Sequence, residues 1–206
     1  KISTSSSKNL EIKDFTTLIP LNSPLGESFI VTDSRIDTIS LYFSSSREVE
    51  VVLYLYKVNS LRDANLDNLI ATSRKKVGSD FEGWLDFLVE KDLTSGYYLI
   101  EIEGSPDVYC AYNSRSFPGI QRIDFSSKFN ITRGVYPLKL SPPSKPYGSE
   151  NIINGISRPT CYAPNLWISE EGFPQYIEMD FPKPCKINTI YITFDTNLDI
   201  PEPFRS

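Results

Sequence analysis

Alternation of apolar and polar residues early in the chain is the feature that most constrains its fold. Ile39, Leu41 and Phe43 alternate with polar or amphipathic neighbours, and the same alternation resumes over 49–55 after the polar stretch 44–47. A period of two places every second side chain on the same face of a β-strand. Two such strands joined by a short polar segment predict a long antiparallel hairpin.

Further short strands are predicted along the first 140 residues. Twelve Tyr and twelve Phe favour sheets, where rings pack well on pleated surfaces, and fifteen prolines favour short strands joined by loops. The Asp- and Asn-rich segment 61–68 predicts no more than a helical turn. We expect an all-β fold, an antiparallel jelly roll or β-sandwich, over residues 1–140. Its remaining strands are predicted near 29–31, 69–75, 83–89, 97–103 and 108–113.

Closely spaced prolines at 142, 143 and 146 predict a module boundary, because such a segment cannot serve as an interior strand. Residues 141–206 then form a partial second module, with strands expected over 175–181 and 186–194 and a short apolar run at 166–169. So few strands bury too little apolar surface to be stable alone. We expect them to pair with residues outside this sequence or with another copy, unless they complete the first module.

Composition excludes several classes of function. The chain contains no histidine, which removes the commonest general base and the commonest transition-metal ligand. A net charge of −5 without a basic cluster argues against nucleic acid as a partner. The glycines are scattered singly, so no nucleotide-binding loop is predicted, and no apolar run is long enough for a transmembrane segment. We therefore predict no cofactor, no metal site and no catalytic residue.

The three cysteines, Cys110, Cys161 and Cys185, show no C-x-x-C spacing. An odd number argues against a complete disulfide framework. Buried free thiols are the expected state, with a single Cys161–Cys185 bridge as the alternative.

The segment 149–195 resembles the N-terminal half of a discoidin-like module, the galactose-binding-like β-sandwich also known from coagulation-factor type C domains. The resemblance lies in the order of four elements: the turn Asn154-Gly155, the phrase Trp167-Ile168-Ser169, the alternating segment 175–181 and the segment 187–194. It implies a binding fold whose loops contact a galactose-type sugar. Many members also hold a structural calcium, but Asn154 stands where the family has the calcium-associated aspartate.

A second likeness concerns accessory regions of bacterial proteins. Segments 153–159 and 193–198 resemble ancillary regions of some flavin-dependent oxidoreductases and carbohydrate-active enzymes, and segments 83–87 and 93–99 resemble many accessory sandwiches. The likeness implies a region attached to a catalytic domain, with other domains of the same protein as partners. It also implies an extracellular, cell-surface or periplasmic location.

Sugar recognition requires an exposed aromatic ring beside planar hydrogen-bonding groups. Arg158, Tyr162, Asn165 and Trp167 offer both types within ten residues and are the predicted ligand-binding residues. Arg158 and Tyr162 fall in a predicted loop and are the better candidates. Trp167 and Trp84 lie in apolar strand contexts and are expected to be mostly core.

These features together predict a non-catalytic accessory β-sandwich segment of a larger secreted bacterial protein, with a glycan as its partner. Carboxylate pairs such as Glu178 and Asp180 are expected to face water rather than to catalyse glycoside hydrolysis. Two alternatives remain open. One is a structural or protein-interaction jelly roll of a viral or cell-surface protein, and the other is part of an enzyme whose catalytic domain lies elsewhere.

Overall fold

The computed structural model describes residues 1–32, 34–126, 131–155, 165–172 and 174–193. Within these residues the secondary structure consists of thirteen strands and one short 3₁₀ turn, Ser149–Ile152. The strands are β1 (Ile2–Thr4), β2 (Thr17–Leu21), β3 (Leu25–Val31), β4 (Ser34–Ser45), β5 (Val49–Val58), β6 (Leu69–Val77), β7 (Phe81–Leu93), β8 (Gly96–Ile102), β9 (Ser105–Tyr112), β10 (Ile120–Asp124), β11 (Ile131–Thr132), β12 (Leu138–Ser141) and β13 (Ile177–Met179).

Two antiparallel sheets form the body of the protein. One sheet has the order β11-β10-β3-β8-β5-β6, and the other joins β12, β4, β9 and β2, with β7 paired to β4. Apolar side chains from both sheets share one buried cluster, so the sheets pack as a sandwich. The predicted all-β antiparallel sandwich is confirmed, and the jelly-roll connectivity stays a prediction.

The predicted hairpin between the two alternating strands is wrong. β4 pairs with β7, β9 and β12, whereas β5 pairs with β6 and β8 in the opposite sheet. The polar stretch between them therefore crosses from one sheet to the other. Alternation reports which face of a strand is buried, and both strands do bury their apolar face, but it does not report the pairing partner.

The core lies between the sheets and is filled by the apolar side chains that occupy every second position of the strands. Ile39, Leu41 and Phe43 of β4 are fully buried, as are Leu53 and Leu55 of β5. Each such side chain contributes about 1.5–3 kcal/mol of hydrophobic stabilisation relative to an exposed position. The alternating pattern thus sets the separation of core and surface along both strands.

Some residues beyond the predicted module boundary pack against this body. Ser144 and Tyr147 are buried, and Leu166 and Ile168 contact the main core cluster. Farther on, β13 pairs with β1 in a separate two-stranded sheet. The boundary itself stays a prediction.

The strand predicted over 186–194 is not formed in its described part, residues 186–193. Several apolar side chains there are exposed, including Ile190 (66%) and Tyr191 (92%). A strand needs a neighbouring strand to bond its backbone groups, and none of the described residues supplies one at this position.

Candidate functional site

The outer face of the five-stranded sheet presents a row of aromatic side chains. Tyr42 of β4 lies directly opposite Trp84 of β7 in the antiparallel register. The neighbours of Tyr42 along the strand, Leu41 and Phe43, are fully buried in the core. Because successive side chains of a strand point to opposite faces, Tyr42 and Trp84 stand on the face away from the core.

The rings contact one another and form what we call the aromatic platform, made of Phe15, Tyr42 and Trp84. Phe15 and Tyr42 have ring centroids 4.7 Å apart, and Tyr42 meets Trp84 edge to face at 5.8 Å. Phe15 is 38% exposed, whereas Tyr42 and Trp84 are half-buried. Edge-to-face contacts of this kind stabilise a pair by about 0.5–1.5 kcal/mol beyond burial, so the rings are held in place before any ligand arrives.

Polar groups border the aromatic platform. The hydroxyl of Tyr42 donates to the Glu82 carboxylate at 3.1 Å, and the Ser40 hydroxyl donates to Asp86 at 2.6 Å. The Lys139 ammonium lies 3.5 Å from the centre of the Trp84 ring, a cation–π contact. Partial burial and the hydrogen bond to Glu82 raise the pKa of Tyr42 above its ordinary value, so this hydroxyl stays a donor at neutral pH. The border therefore offers one ammonium donor and two carboxylate acceptors.

The outer face of the six-stranded sheet also carries aromatic rings, but they are packed under other residues. Tyr56 joins a second buried cluster, with Tyr54 and Tyr97 at its edge and Ala64 of the 59–68 segment packed against it. The hydroxyls of Tyr54 and Tyr56 donate to Glu103 and Glu101. Burial, followed by the bond to Glu101, raises the pKa of Tyr56 to about 12. This face resembles a small core, which leaves the aromatic platform as the open aromatic surface of the two.

The predicted ligand-binding residues are only partly described. Asn165 is half-buried and accepts a hydrogen bond from the side-chain amide of Asn154. Trp167 is half-buried, and its buried indole Nε1 has no hydrogen-bond partner among the described residues. Arg158 and Tyr162 lie outside the described residues. The role of these four residues stays a prediction.

Trp84 is not a core residue, contrary to expectation. It alternates with Leu85, which packs against the main core, and with Phe87, which is fully buried, so its own side chain faces outward. The sequence contained a signal for this position, because Tyr42 and Trp84 alternate with the apolar residues of their strands and so belong to the face that carries polar side chains. An aromatic ring in that phase lies on the surface of a sandwich, where it is available to a ligand.

A buried carboxyl lies between the sheets, in a cluster that sequence reasoning missed. Glu27 of β3 is fully buried, and its Oε2 accepts a hydrogen bond of 2.6 Å from the backbone N–H of Tyr136. Burial raises the pKa of Glu27 well above its ordinary value, and the Tyr136 hydrogen bond and the Arg122 charge offset only part of that effect. The nearby thiol of Cys110 is also fully buried, and burial followed by the proximity of Glu27 raises its pKa.

The structure also bears on metals and disulfides. Among the described residues, no group of three acidic or cysteine side chains is placed to hold a metal ion. Cys110 is a buried free thiol, as expected, whereas the free thiol of Cys185 is exposed and forms no bridge. Cys161 lies outside the described residues.

No protein-family model and no curated protein matches the chain. In the portions of the chain that the structure covers, no helix has the length and apolar character required to span a bilayer. The fold and the aromatic platform therefore carry the functional argument. In the described residues they define an antiparallel β-sandwich with aromatic rings on the outer face of one sheet.

Proposed function

We propose that this chain is a non-catalytic carbohydrate-binding β-sandwich, an accessory part of a larger secreted bacterial protein, and that the aromatic platform is its glycan-binding surface. The observation that carries the proposal is the row of Phe15, Tyr42 and Trp84 on the outer face of the five-stranded sheet. Sugars present flat C–H faces that stack on aromatic rings and hydroxyls that need hydrogen-bonding groups close by.

The border of the platform matches the second requirement. A sugar ring laid on Tyr42 and Trp84 meets the carboxylates of Glu82 and Asp86 as acceptors and the Lys139 ammonium as a donor. Both carboxylates already accept a hydrogen bond from a hydroxyl group of the protein, which fixes their orientation and lowers the entropy cost of binding. The lack of histidine in the sequence favours binding without catalysis.

A protein-interaction function is the second candidate, favoured by the exposed apolar side chains between 176 and 192. Tyr176 (53%), Phe181 (52%) and Ile192 (63%) are among them. Contiguous exposed apolar surface marks interaction sites in soluble proteins. The two candidates use different parts of the chain, so substitutions separate them.

The test is glycan-array binding of the whole chain, followed by calorimetric titration of the best glycan against variants. Trp84→Ala is expected to weaken glycan binding by about 5- to 150-fold, since loss of one aromatic contact residue costs on the order of 1–3 kcal/mol. Leu88→Ala is the matched control, because Leu88 lies on the same sheet face, is 54% exposed and carries no ring.

The melting temperature of each variant shows whether a loss of glycan binding is due to a loss of folded structure. A second comparison uses Trp167→Ala, which should leave binding unchanged if the aromatic platform is the site. Loss of binding in Trp167→Ala with full binding in Trp84→Ala would move the site to the segment that resembles discoidin-like modules. Binding of no glycan, together with self-association through the 176–192 segment, would favour the second candidate.

A further inference from the structure

The Trp84 ring of the aromatic platform already carries an ammonium group, that of Lys139, at 3.5 Å from its centre. Lys139 lies on β12 opposite Ser40 of β4, whereas Trp84 lies on β7 opposite Tyr42 of the same β4. The lysine side chain therefore reaches diagonally across β4 to the ring. Tryptophan offers the best ring for a cation–π contact, so the Trp84 ring is a surface for ammonium groups, and a lysine of the chain itself occupies it.

The Lys139 ammonium is held weakly at this position. Its side chain is half-buried, and no carboxylate of the described residues forms a salt bridge with it. The acidic residues on either side of the ring along β7, Glu82 and Asp86, accept hydrogen bonds from hydroxyl groups of the protein instead. A single cation–π contact at a partly exposed site is weak, so a ligand that brings its own cation can displace the lysine.

Two negative charges flank the Trp84 ring. Glu82 and Asp86 are exposed and stand two residues before and after Trp84, so all three side chains project from the same face of β7. Each carboxylate originates about 7 Å from Trp84 along the strand. Within the described residues each accepts a hydrogen bond at one oxygen, which leaves the second oxygen for a ligand. Two carboxylates outweigh the single charge of Lys139, so this surface favours cations.

We propose that the aromatic platform selects glycans that carry free amino groups, the class of the hexosamine polymers. A ligand ammonium takes the place of the Lys139 ammonium on the Trp84 ring. It pairs with the second oxygen of Glu82 or Asp86, while the sugar ring stacks on Tyr42. Lys139 is then an internal competitor for amino sugars, whereas for neutral sugars it serves as a hydrogen-bond donor. The inference rests on the proposed glycan-binding function and names the class of glycan.

The experiment is calorimetric titration of the whole chain with oligomers of glucosamine, N-acetylglucosamine and glucose that share one linkage and one length. The three ligands differ at one carbon of each sugar, which carries an ammonium, an acetamide or a hydroxyl group. At about pH 6, where amines are protonated, the glucosamine oligomer should bind at least about fivefold more tightly than the other two. It alone gains both a cation–π contact and an ion pair.

Lys139→Gln is the sharpest variant, because it should strengthen binding. Removal of the competing ammonium should tighten binding of the glucosamine oligomer about two- to fivefold, the equivalent of one exposed cation–π contact. It should not tighten binding of the glucose oligomer. Lys139→Met, which keeps the aliphatic stem, should act in the same way if Lys139→Gln is poorly folded. Lys76→Gln is the matched control, because it removes the same charge from an exposed position on the other sheet.

Glu82→Gln tests the ion pair. It should weaken binding of the glucosamine oligomer about two- to fivefold, the range of an exposed ion pair. Binding of the glucose oligomer should stay unchanged, because Gln keeps an oxygen that accepts hydrogen bonds. Glu50→Gln is the matched control, since Glu50 is exposed on the other sheet, where it pairs with Arg74.

The remaining outcomes separate this inference from the proposed function. Trp84→Ala should remove most of the preference for the glucosamine oligomer, and a lysine peptide of equal charge should bind more weakly than that oligomer. Equal binding of the three oligomers, unchanged or weaker binding of the glucosamine oligomer by the folded Lys139 variants, or equally tight binding of the peptide would each overturn the inference. If the glucosamine oligomer does not bind but a neutral glycan binds through Trp84, the inference fails and the proposed function stands. If no glycan binds, both fail.

Discussion

Replacing Glu27 by Gln is expected to stabilise the protein increasingly as the pH rises. Glu27 is fully buried with one oxygen unpartnered, and burial raises its pKa well above the ordinary value of 4.5. Gln keeps an oxygen that accepts the hydrogen bond from the Tyr136 N–H, and it carries no charge. The substitution therefore removes the titration while preserving the one contact that Glu27 makes with the backbone.

The sign of the effect follows from proton binding in the two states. Below a pH of about 4.5 both the folded and the unfolded protein hold the Glu27 proton, so this proton has no effect on stability. Above that pH the unfolded state releases the proton and the folded state retains it. The unfolded state then binds fewer protons, so the free energy of unfolding falls as the pH rises, until the pH passes the raised folded-state pKa.

The magnitude is set by one proton. The slope is about 1.4 kcal/mol per pH unit within that window. For a chain of this length, that change shifts the melting temperature by roughly 3–5 °C per pH unit. The free energy of unfolding of the wild type should therefore fall relative to that of the Gln variant from about pH 5 upward. Above the raised folded-state pKa, the difference between the two proteins should stay constant.

Urea unfolding at a series of pH values between about 5 and 9 measures this difference directly. Glu48→Gln is the matched control, because Glu48 is exposed in the turn between β4 and β5 and should follow the wild type. A constant difference between wild type and Glu27→Gln across the whole range would refute the reasoning. It would mean that the pKa of Glu27 in the folded protein is not raised above its ordinary value.

Two further predictions concern the core and the thiols. Phe43→Ala should lower the free energy of unfolding by about 3–5 kcal/mol in urea titrations, because Phe43 is fully buried and packs edge to face with Phe87 at 6.2 Å. Phe15→Ala, on the surface, should lower the free energy of unfolding far less. An equal decrease in the two variants would contradict the assignment of Phe43 to the core. Cys185, which is exposed, should react with an alkylating reagent in the native protein, whereas Cys110, buried and with a raised pKa, should react only on unfolding; rapid native labelling of Cys110, read by mass spectrometry of its peptide, would contradict that placement.

The sequence was sufficient to predict β4 and β5 and the face that each strand buries, because both follow from local alternation. It was insufficient to predict that β4 and β5 lie in opposite sheets. Pairing depends on contacts between distant segments, such as Leu41 with Leu85 and with Leu138, which no local pattern encodes. A turn of the same length can close a hairpin or cross between sheets.

The candidate sites were missed for different reasons. Tyr42 and Trp84 carried a signal in their strand phase, but their assembly with Phe15 depends on tertiary structure. Glu27 occupies the apolar phase of β3 between Leu25 and Phe29, and it was missed because the predicted strand began at 29. The pairing of Glu27 with Arg122 again depends on residues far apart in the chain.

The small sheet of β1 and β13 has a consequence for how the chain folds. Its paired residues are 173–177 positions apart, and the adjoining hydrogen bond from the Tyr176 N–H to the Ser5 hydroxyl joins residues 171 positions apart. Closing a loop of that length costs about 2.5 kcal/mol more entropy than closing a loop of about ten residues. A two-stranded sheet of three residues per strand offers little to offset this cost before the sandwich has formed. The β1–β13 sheet should therefore form after the sandwich has brought its strands together, and in the native protein it should be among the first elements to open.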